Sequence, residues 1–237
     1  MARDDRLGPQ LPLALRYPPA QRLDTYIGAP AALAQLRALA AGAAGDPLYL
    51  QGPAGVGKTH LLLAACAEAE AAGRRPAYLA LGGLRGRVRA AVEGLDQADL
   101  LALDDLDTVA GDRDDEVALF DLHNRLRDAG RVPLYAAVGA PGALGLVLPD
   151  LGSRLAQCTR VLLQTLDDAG RAQWLRRRAD ARGLAFDPAA LEWMLRRCSR
   201  DLRSLEALLE RLDRASLAAQ RRLTVPFLRQ LLEAGDG

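Results

Sequence analysis

The sequence predicts an α/β domain built on a parallel sheet with helices on both faces, followed by a small all-helical domain. Three observations predict it. Up to residue 165, short apolar runs alternate with helical stretches of about 10–15 residues. The first apolar run ends in Gly52-Pro-Ala-Gly-Val-Gly-Lys58-Thr59, which matches the phosphate-binding pattern G-x-x-x-x-G-K-[ST]. Beyond residue 165 the apolar runs stop and only helical periodicity remains.

The elements follow in order. Residues 1–23 hold four of the 13 prolines, mixed charge and no helical period, and read as an extended arm. An Ala/Leu-rich helix is expected over Ile27–Ala41, then a buried strand at Pro47–Gln51. The phosphate loop opens a helix from Lys58 to Ala72 that Gly73 closes. A second strand at Pro76–Leu81 precedes a helix near Leu84–Glu93, and a third strand, Asp99–Leu103, ends in Asp104-Asp105. A helix over Asp115–Ala129 stops at Gly130, and a fourth strand covers Leu134–Val138. The loop Gly139–Pro149 leads to a short helix at Leu151–Ala156, and Val161–Gln164 is the fifth strand. In the helical part, Asp187-Pro188 reads as an N-cap with proline at the first helical position. Thr224 caps a last helix with Pro226 in its first turn. The domains expected are an arm at 1–23, a nucleotide-binding α/β domain at 24–165 and a helical lid at 166–237.

Composition narrows the function. The 237 residues are half hydrophobic and a quarter charged, and 31 basic residues nearly balance 30 acids, so no global basic signal for nucleic acid exists. Residues 171–237 hold 14 arginines against 9 acids, an excess spread over helical faces and read as solvated surface. Cys66, Cys158 and Cys198 are far apart and odd in number, which points to small core residues and a reduced, cytoplasmic protein. No apolar run reaches the roughly 18 residues of a membrane span. His60 and His123 are lone and read as structural, and Trp174, Trp193 and Phe227 fall on apolar helical faces as lid core.

The chemistry concentrates at the phosphate loop. Of 31 basic residues only one, Lys58, is lysine, and it stands where a compact ammonium must lie beside a phosphate chain. Gly52, Gly55 and Gly57 let the backbone turn tightly, so that the N–H groups of the loop, with Pro53, Ala54 and Val56 between the glycines, point inward at phosphate oxygens. The Thr59 hydroxyl is placed to ligate Mg²⁺. Asp104 and Asp105 end an apolar strand, where Asp104 can hold the metal through water and Asp105 can polarise an attacking water.

Gly52–Thr59 followed by His60-Leu-Leu, the run Asp-Leu-Leu-Ala-Leu-Asp-Asp-Leu-Asp over 99–107, and the helical tail resemble the DnaA-related AAA+ P-loop family, and within it the short Hda branch. Leu148-Pro-Asp-Leu-Gly-Ser-Arg154-Leu155 resembles the family's arginine-finger segment. Leu212–Ser216 and Ala219–Phe227 resemble the C-terminal end of Hda proteins. Gln10, Leu11, Leu13 and Leu15 fit the Gln-Leu-x-Leu-x-Leu spacing of sliding-clamp-binding peptides. The resemblance covers nearly the whole chain. It implies an AAA+ domain with a helical lid and bound ADP or ATP with Mg²⁺. His60 joins the helix start at the nucleotide, and Arg203 resembles the second sensor that leans from the lid onto the phosphates. Arg154 is implied as a finger acting in trans on ATP held by the initiator DnaA, with the sliding clamp as second partner. The expected outcome is stimulated hydrolysis of DnaA-bound ATP and negative control of replication initiation. Two departures count. Where the family's fourth strand ends in a polar first-sensor residue, this chain has Ala136-Ala-Val-Gly-Ala140, which puts self-hydrolysis in doubt. The sequence also stops at Gly237 with no helix-turn-helix region, so sequence-specific DNA binding is not expected. The competing readings are an autonomous ATPase of helicase-loader or remodelling type and, less compatible with that end, a DNA-binding initiator. An exposed Arg154 would also permit head-to-tail self-association.

Overall fold

A computed structural model describes residues 21–197, 202–219 and 223–233. Five parallel strands form one sheet in the order β2-β3-β4-β1-β5, with β1 at Leu48–Gln51, β2 at Pro76–Ala80, β3 at Leu100–Asp104, β4 at Val132–Ala137 and β5 at Thr159–Leu162. Residues of the three central strands alternate faces, as the two-residue period of a strand requires. Leu48, Leu50, Leu100, Ala102, Leu134 and Ala136 enter one core cluster. Tyr49, Leu101, Leu103, Tyr135 and Ala137 enter the other. Helices α1 (Pro30–Ala40) and α2 (Lys58–Ala71) cover the first face, and Ala64, Ala65 and Ala69 of α2 are fully buried there. The short α3 (Val88–Ala91), α4 (Arg113–Asp128) and α5 (Pro149–Ala156) cover the second through Val88, Leu119, Leu122, Leu126, Leu151 and Leu155.

The lid consists of α6 (Asp168–Ala181), α7 (Pro188–Arg197), α8 (Leu202–Ala219) and α9 (Val225–Glu233). Its own core joins Leu175, Leu191, Met194, Leu209, Leu212 and Leu228, all nearly inaccessible. Trp174 belongs to that core, with Trp193 and Phe227 packed partly buried against it, as expected. Asp187 caps α7: its Oδ1 accepts from the Ala189 amide at 2.9 Å, and Pro188 is the first helical residue. The carbonyl of Thr224 accepts from the Leu228 amide at the start of α9. Cys66 and Cys158 are buried thiols that donate to the carbonyls of Ala77 and Arg154, whereas Cys198 lies outside the described residues.

Several expectations are corrected. The arm does not run through residue 23: Leu23–Thr25 form a 3-10 turn and Leu23 is fully buried in the first cluster. The first helix begins at Pro30, not Ile27, because the chain turns left-handed at Ala29 (φ 46°). The helix expected over Leu84–Glu93 shrinks to Val88–Ala91. Its cause is Asp115, whose carboxylate takes the amides of Gly86 (2.6 Å) and Val88 (3.0 Å) and pins the preceding residues as a turn. Asp115 is therefore not the start of α4. That helix begins at Arg113, capped by Asp112, which accepts from the Asp115 amide at 3.2 Å. The fourth strand starts at Val132 and ends at Ala137, earlier than expected at both ends. The fifth starts at Thr159, not Val161, because its register with β1 pairs Leu48 with Thr159 directly after α5 ends. At that sheet edge Leu162 is 62 % exposed.

Candidate functional site

The loop Gly52–Gly57 leaves the C-terminal end of β1 and enters α2 with Gly57 as its N-cap at φ 95°. A Cβ on Gly57 would lie 2.8 Å from Cε2 of Tyr26, and one on Gly52 would lie 2.7 Å from the Leu163 carbonyl, so both positions exclude a side chain. Tyr26 braces the loop by donating its hydroxyl to the Val56 carbonyl at 3.0 Å. Burial pushes the Tyr26 phenol up to about 12, which keeps it a donor. Lys58 is 8 % exposed and folds back into the loop, its Nζ donating to the Gly52 carbonyl at 2.7 Å and the Pro53 carbonyl at 3.0 Å.

Asp104, at the end of β3, is buried and gathers three donors. The Thr59 hydroxyl donates to its Oδ2 at 2.6 Å, the Tyr78 hydroxyl to the same oxygen at 3.0 Å, and the Asp105 amide to Oδ1 at 2.9 Å. Burial, then the neighbouring Asp104 charge, raise the Tyr78 phenol well above its ordinary value, so it remains a donor too. Thr59 and Asp104, 45 positions apart in sequence, thus meet directly beside Lys58. Asp105 follows at φ 55°, a left-handed conformation uncommon for a side-chain-bearing residue, and stands exposed on the wall of the cleft.

That cleft, of about 460 Å³, lies between the loop and the lid. Its far wall is Leu166, Trp174, Arg178, Leu202 and Glu206. Arg178 lies 5.6 Å from the Trp174 ring centroid and 3.5 Å from Glu206, which Arg182 also engages. A neighbouring cavity of about 810 Å³ reaches from Ala54–Val56 to the root of α6. There Arg171 is 3 % exposed, paired with Asp168, and its Nε has no partner among the described residues. Val138, just past the end of β4 and 49 % exposed, presents an apolar side chain to the cleft. Its amide instead donates to Asp107 Oδ1 at 3.0 Å.

Arg154 sits elsewhere. It occupies the last turn of α5, five positions before Thr159, which pairs with the first residue of β1. The loop leaves the other end of that strand. Four strand residues span roughly 13 Å, so Arg154 and Lys58 lie beyond opposite ends of the sheet. The guanidinium lies 6.0 Å from the Phe120 ring centroid and lines a pocket with His123 and Arg127 that contains no loop residue.

The structure therefore brings Gly52, Pro53, Ala54, Gly55, Val56, Gly57, Lys58, Thr59, Asp104 and Asp105 together and keeps Arg154 apart. His60 is on the same cleft, but its Nε2 faces the Arg22 carbonyl at 2.9 Å, so that nitrogen carries the proton and anchors the entering chain. Arg203 falls in the first turn of α8, next to cleft-lining Leu202, and its side chain lies outside the described residues. Gln10, Leu11, Leu13 and Leu15 lie outside them as well. Tyr26, Tyr78, Arg171 and Arg178 join the site without a sequence signal of their own. A tyrosine two residues before Gly28 or at a strand centre has no motif, and the two lid arginines stand among many others. No group of three or more His, Cys, Asp or Glu residues fit to hold a metal occurs among the described residues. No helix among them is long and apolar enough to cross a membrane.

Comparison with known proteins agrees with this geometry. Residues 168–232 match the family described as Hda, lid domain. Domain III of the Thermotoga maritima replication initiation protein DnaA superposes with TM-score 0.78 at 19 % identity, covering 92 % of this chain and 98 % of that one. The replication initiator DnaA bound to AMPPCP and single-stranded DNA gives 0.71 at 23 % identity over 82 % of this chain. This chain spans 65 % of the length of that DnaA. The Thermotoga maritima RuvB Holliday junction branch migration motor gives 0.70 at 21 % identity, with 92 % and 72 % coverage. The fold is the one seen in these DnaA and RuvB structures, and the helical part of the chain carries the match to the Hda lid.

Proposed function

We propose that this chain, a DnaA-related AAA+ protein, is a nucleotide-binding regulator that stimulates hydrolysis of ATP held by DnaA and so restrains replication initiation. The observation that carries the reading is the position of Arg154. A finger beyond the opposite end of the sheet from its own phosphate loop can act only on a nucleotide bound by another protomer. An arginine supplied in trans to a transferring phosphoryl group is worth about 10³–10⁵ in rate.

In its own cleft the protein holds ADP or ATP. The loop amides and Lys58 take the phosphates, and the resemblance assigns Arg203 of the lid a further phosphate contact. The likeness to a DnaA bound to AMPPCP supports this assignment. Thr59 and Asp104 form an all-oxygen pair suited to Mg²⁺, which when bound neutralises phosphate charge. Asp105 is the residue on that wall able to polarise a water. Val138 offers no polar group to orient one, so the bound nucleotide serves as a structural ligand rather than a substrate. Gln10, Leu11, Leu13 and Leu15 dock the protein on the DNA-loaded sliding clamp in the cytoplasm, as an extended peptide enters a groove.

A second reading, an autonomous ATPase of remodelling type, is favoured by the intact Thr59–Asp104 pair with Asp105 beside it. ATP turnover by the purified protein alone separates the two. The regulator reading expects turnover far below about 1 s⁻¹, the low end for ordinary enzymes; turnover above it overturns that reading.

A further inference from the structure

The face that carries Arg154 holds more positive charge than one finger supplies. A pocket of about 490 Å³ opens beyond the N-terminal ends of β1 and β4, and Arg74, His123, Arg127, Arg131 and Arg154 line it against one acid, Asp46. Two of these arginines are committed to the fold. Arg74 donates to the carbonyls of Leu39 (2.5 Å), Ala40 (3.2 Å) and Asp99 (2.9 Å). Arg131 donates to those of Asp96 and Ala98.

Arg127 is different. It lies one helical turn after His123 on α4, is exposed, and has no ion pair or side-chain hydrogen bond among the described residues. His123 adds no compensating or competing charge. Its Nδ1 lies 2.8 Å from the Tyr135 hydroxyl, and burial, then Arg154 and Arg127, hold its pKa below the ordinary value. Both guanidinium groups thus act on the same imidazole from the same concavity. Two like charges facing one pocket favour the entry of an anion between them.

We propose that Arg127 is a second cation of this face, contacting the polyphosphate of a nucleoside triphosphate held by the neighbouring AAA+ protomer alongside Arg154. The proposal rests on the in-trans reading of Arg154, with DnaA as the neighbour. Charge complementarity argues for this occupant: a triphosphate presents several negative charges to a pocket whose one lining acid is Asp46.

The test uses the full chain, the DNA-loaded clamp and ATP-bound DnaA, and reads the concentration giving half-maximal stimulation as NaCl rises. Arg127→Ala should raise that concentration about tenfold at low salt, with the gap to wild type narrowing as screening grows. Arg127→Lys, which keeps the charge, should recover most of the loss. A purely structural role would leave the salt slope unchanged and give no rescue by lysine. Arg127→Ala matching wild type at every salt overturns the proposal whatever Arg154→Ala does. Arg154→Ala matching wild type overturns the in-trans reading on its own.

Discussion

Lys58 shows how much chemistry one residue can declare. The chain's other basic residues are all arginines, and its one ammonium lies where a guanidinium would be too bulky, folded between the Gly52 and Pro53 carbonyls. That Thr59 and Asp104 come together is equally legible in the sequence, because the start of the loop's helix and the end of a neighbouring apolar strand lie at one end of the sheet, and the two side chains meet there at 2.6 Å. Tyr26 and Tyr78 are not. Each acts through a long-range hydrogen bond, to Val56 and to Asp104, that no local pattern encodes. The two histidines, expected to be structural, are partnered to Arg22 and Tyr135, and burial is the largest cause lowering the pKa of each. The unfolded chain takes up protons near the ordinary histidine value of about 6.5, which the folded protein resists, so stability falls as pH drops below that value. Urea unfolding at pH 7.5 and 5.5 should show a lower midpoint at 5.5, and His123→Gln should reduce the difference. A midpoint that is the same at both pH values contradicts this role for the buried imidazoles.

At the scale of elements, the apolar runs locate all five strands to within two residues, because each central strand is buried on both faces. The helices expected over 84–93 and 115–129 miss their bounds for one shared reason. Asp115 and Glu116, at the start of the second of these, turn inward and are buried. Glu116 accepts from the amides of Gly111 (2.7 Å), Val147 (2.9 Å) and Leu148 (2.6 Å), and so sets where α5, the helix of Arg154, begins. Removing that carboxylate strands buried donors. Glu116→Ala should cost about 2–4 kcal/mol in chemical denaturation, the sum expected for several unsatisfied amides. A loss below about 0.5 kcal/mol, the range of ordinary surface changes, would show that water or neighbouring groups replace it.

Across the whole molecule the sheet separates two cavities, one at each end of its strands. At the C-terminal ends of its strands the glycine-rich loop, Asp104 and the lid enclose a cleft of about 460 Å³. At the N-terminal ends Arg154 opens on a separate pocket beside Arg127. The division into α/β domain and lid is legible because periodicity changes near residue 165, and α6 begins at Asp168. The lid's contribution to the cleft is not, since Arg171 and Arg178 look like any other surface arginine until the helix packs against the loop. This two-ended layout is what the regulator reading depends on. The measurement that tests it most directly is the hydrolysis of DnaA-bound ATP at saturating protein and DNA-loaded clamp, comparing wild type with Arg154→Ala. Stimulation should fall by at least about 10³-fold, with the variant's own nucleotide affinity unchanged. Stimulation by Arg154→Ala equal to that of the wild type would contradict the regulator reading.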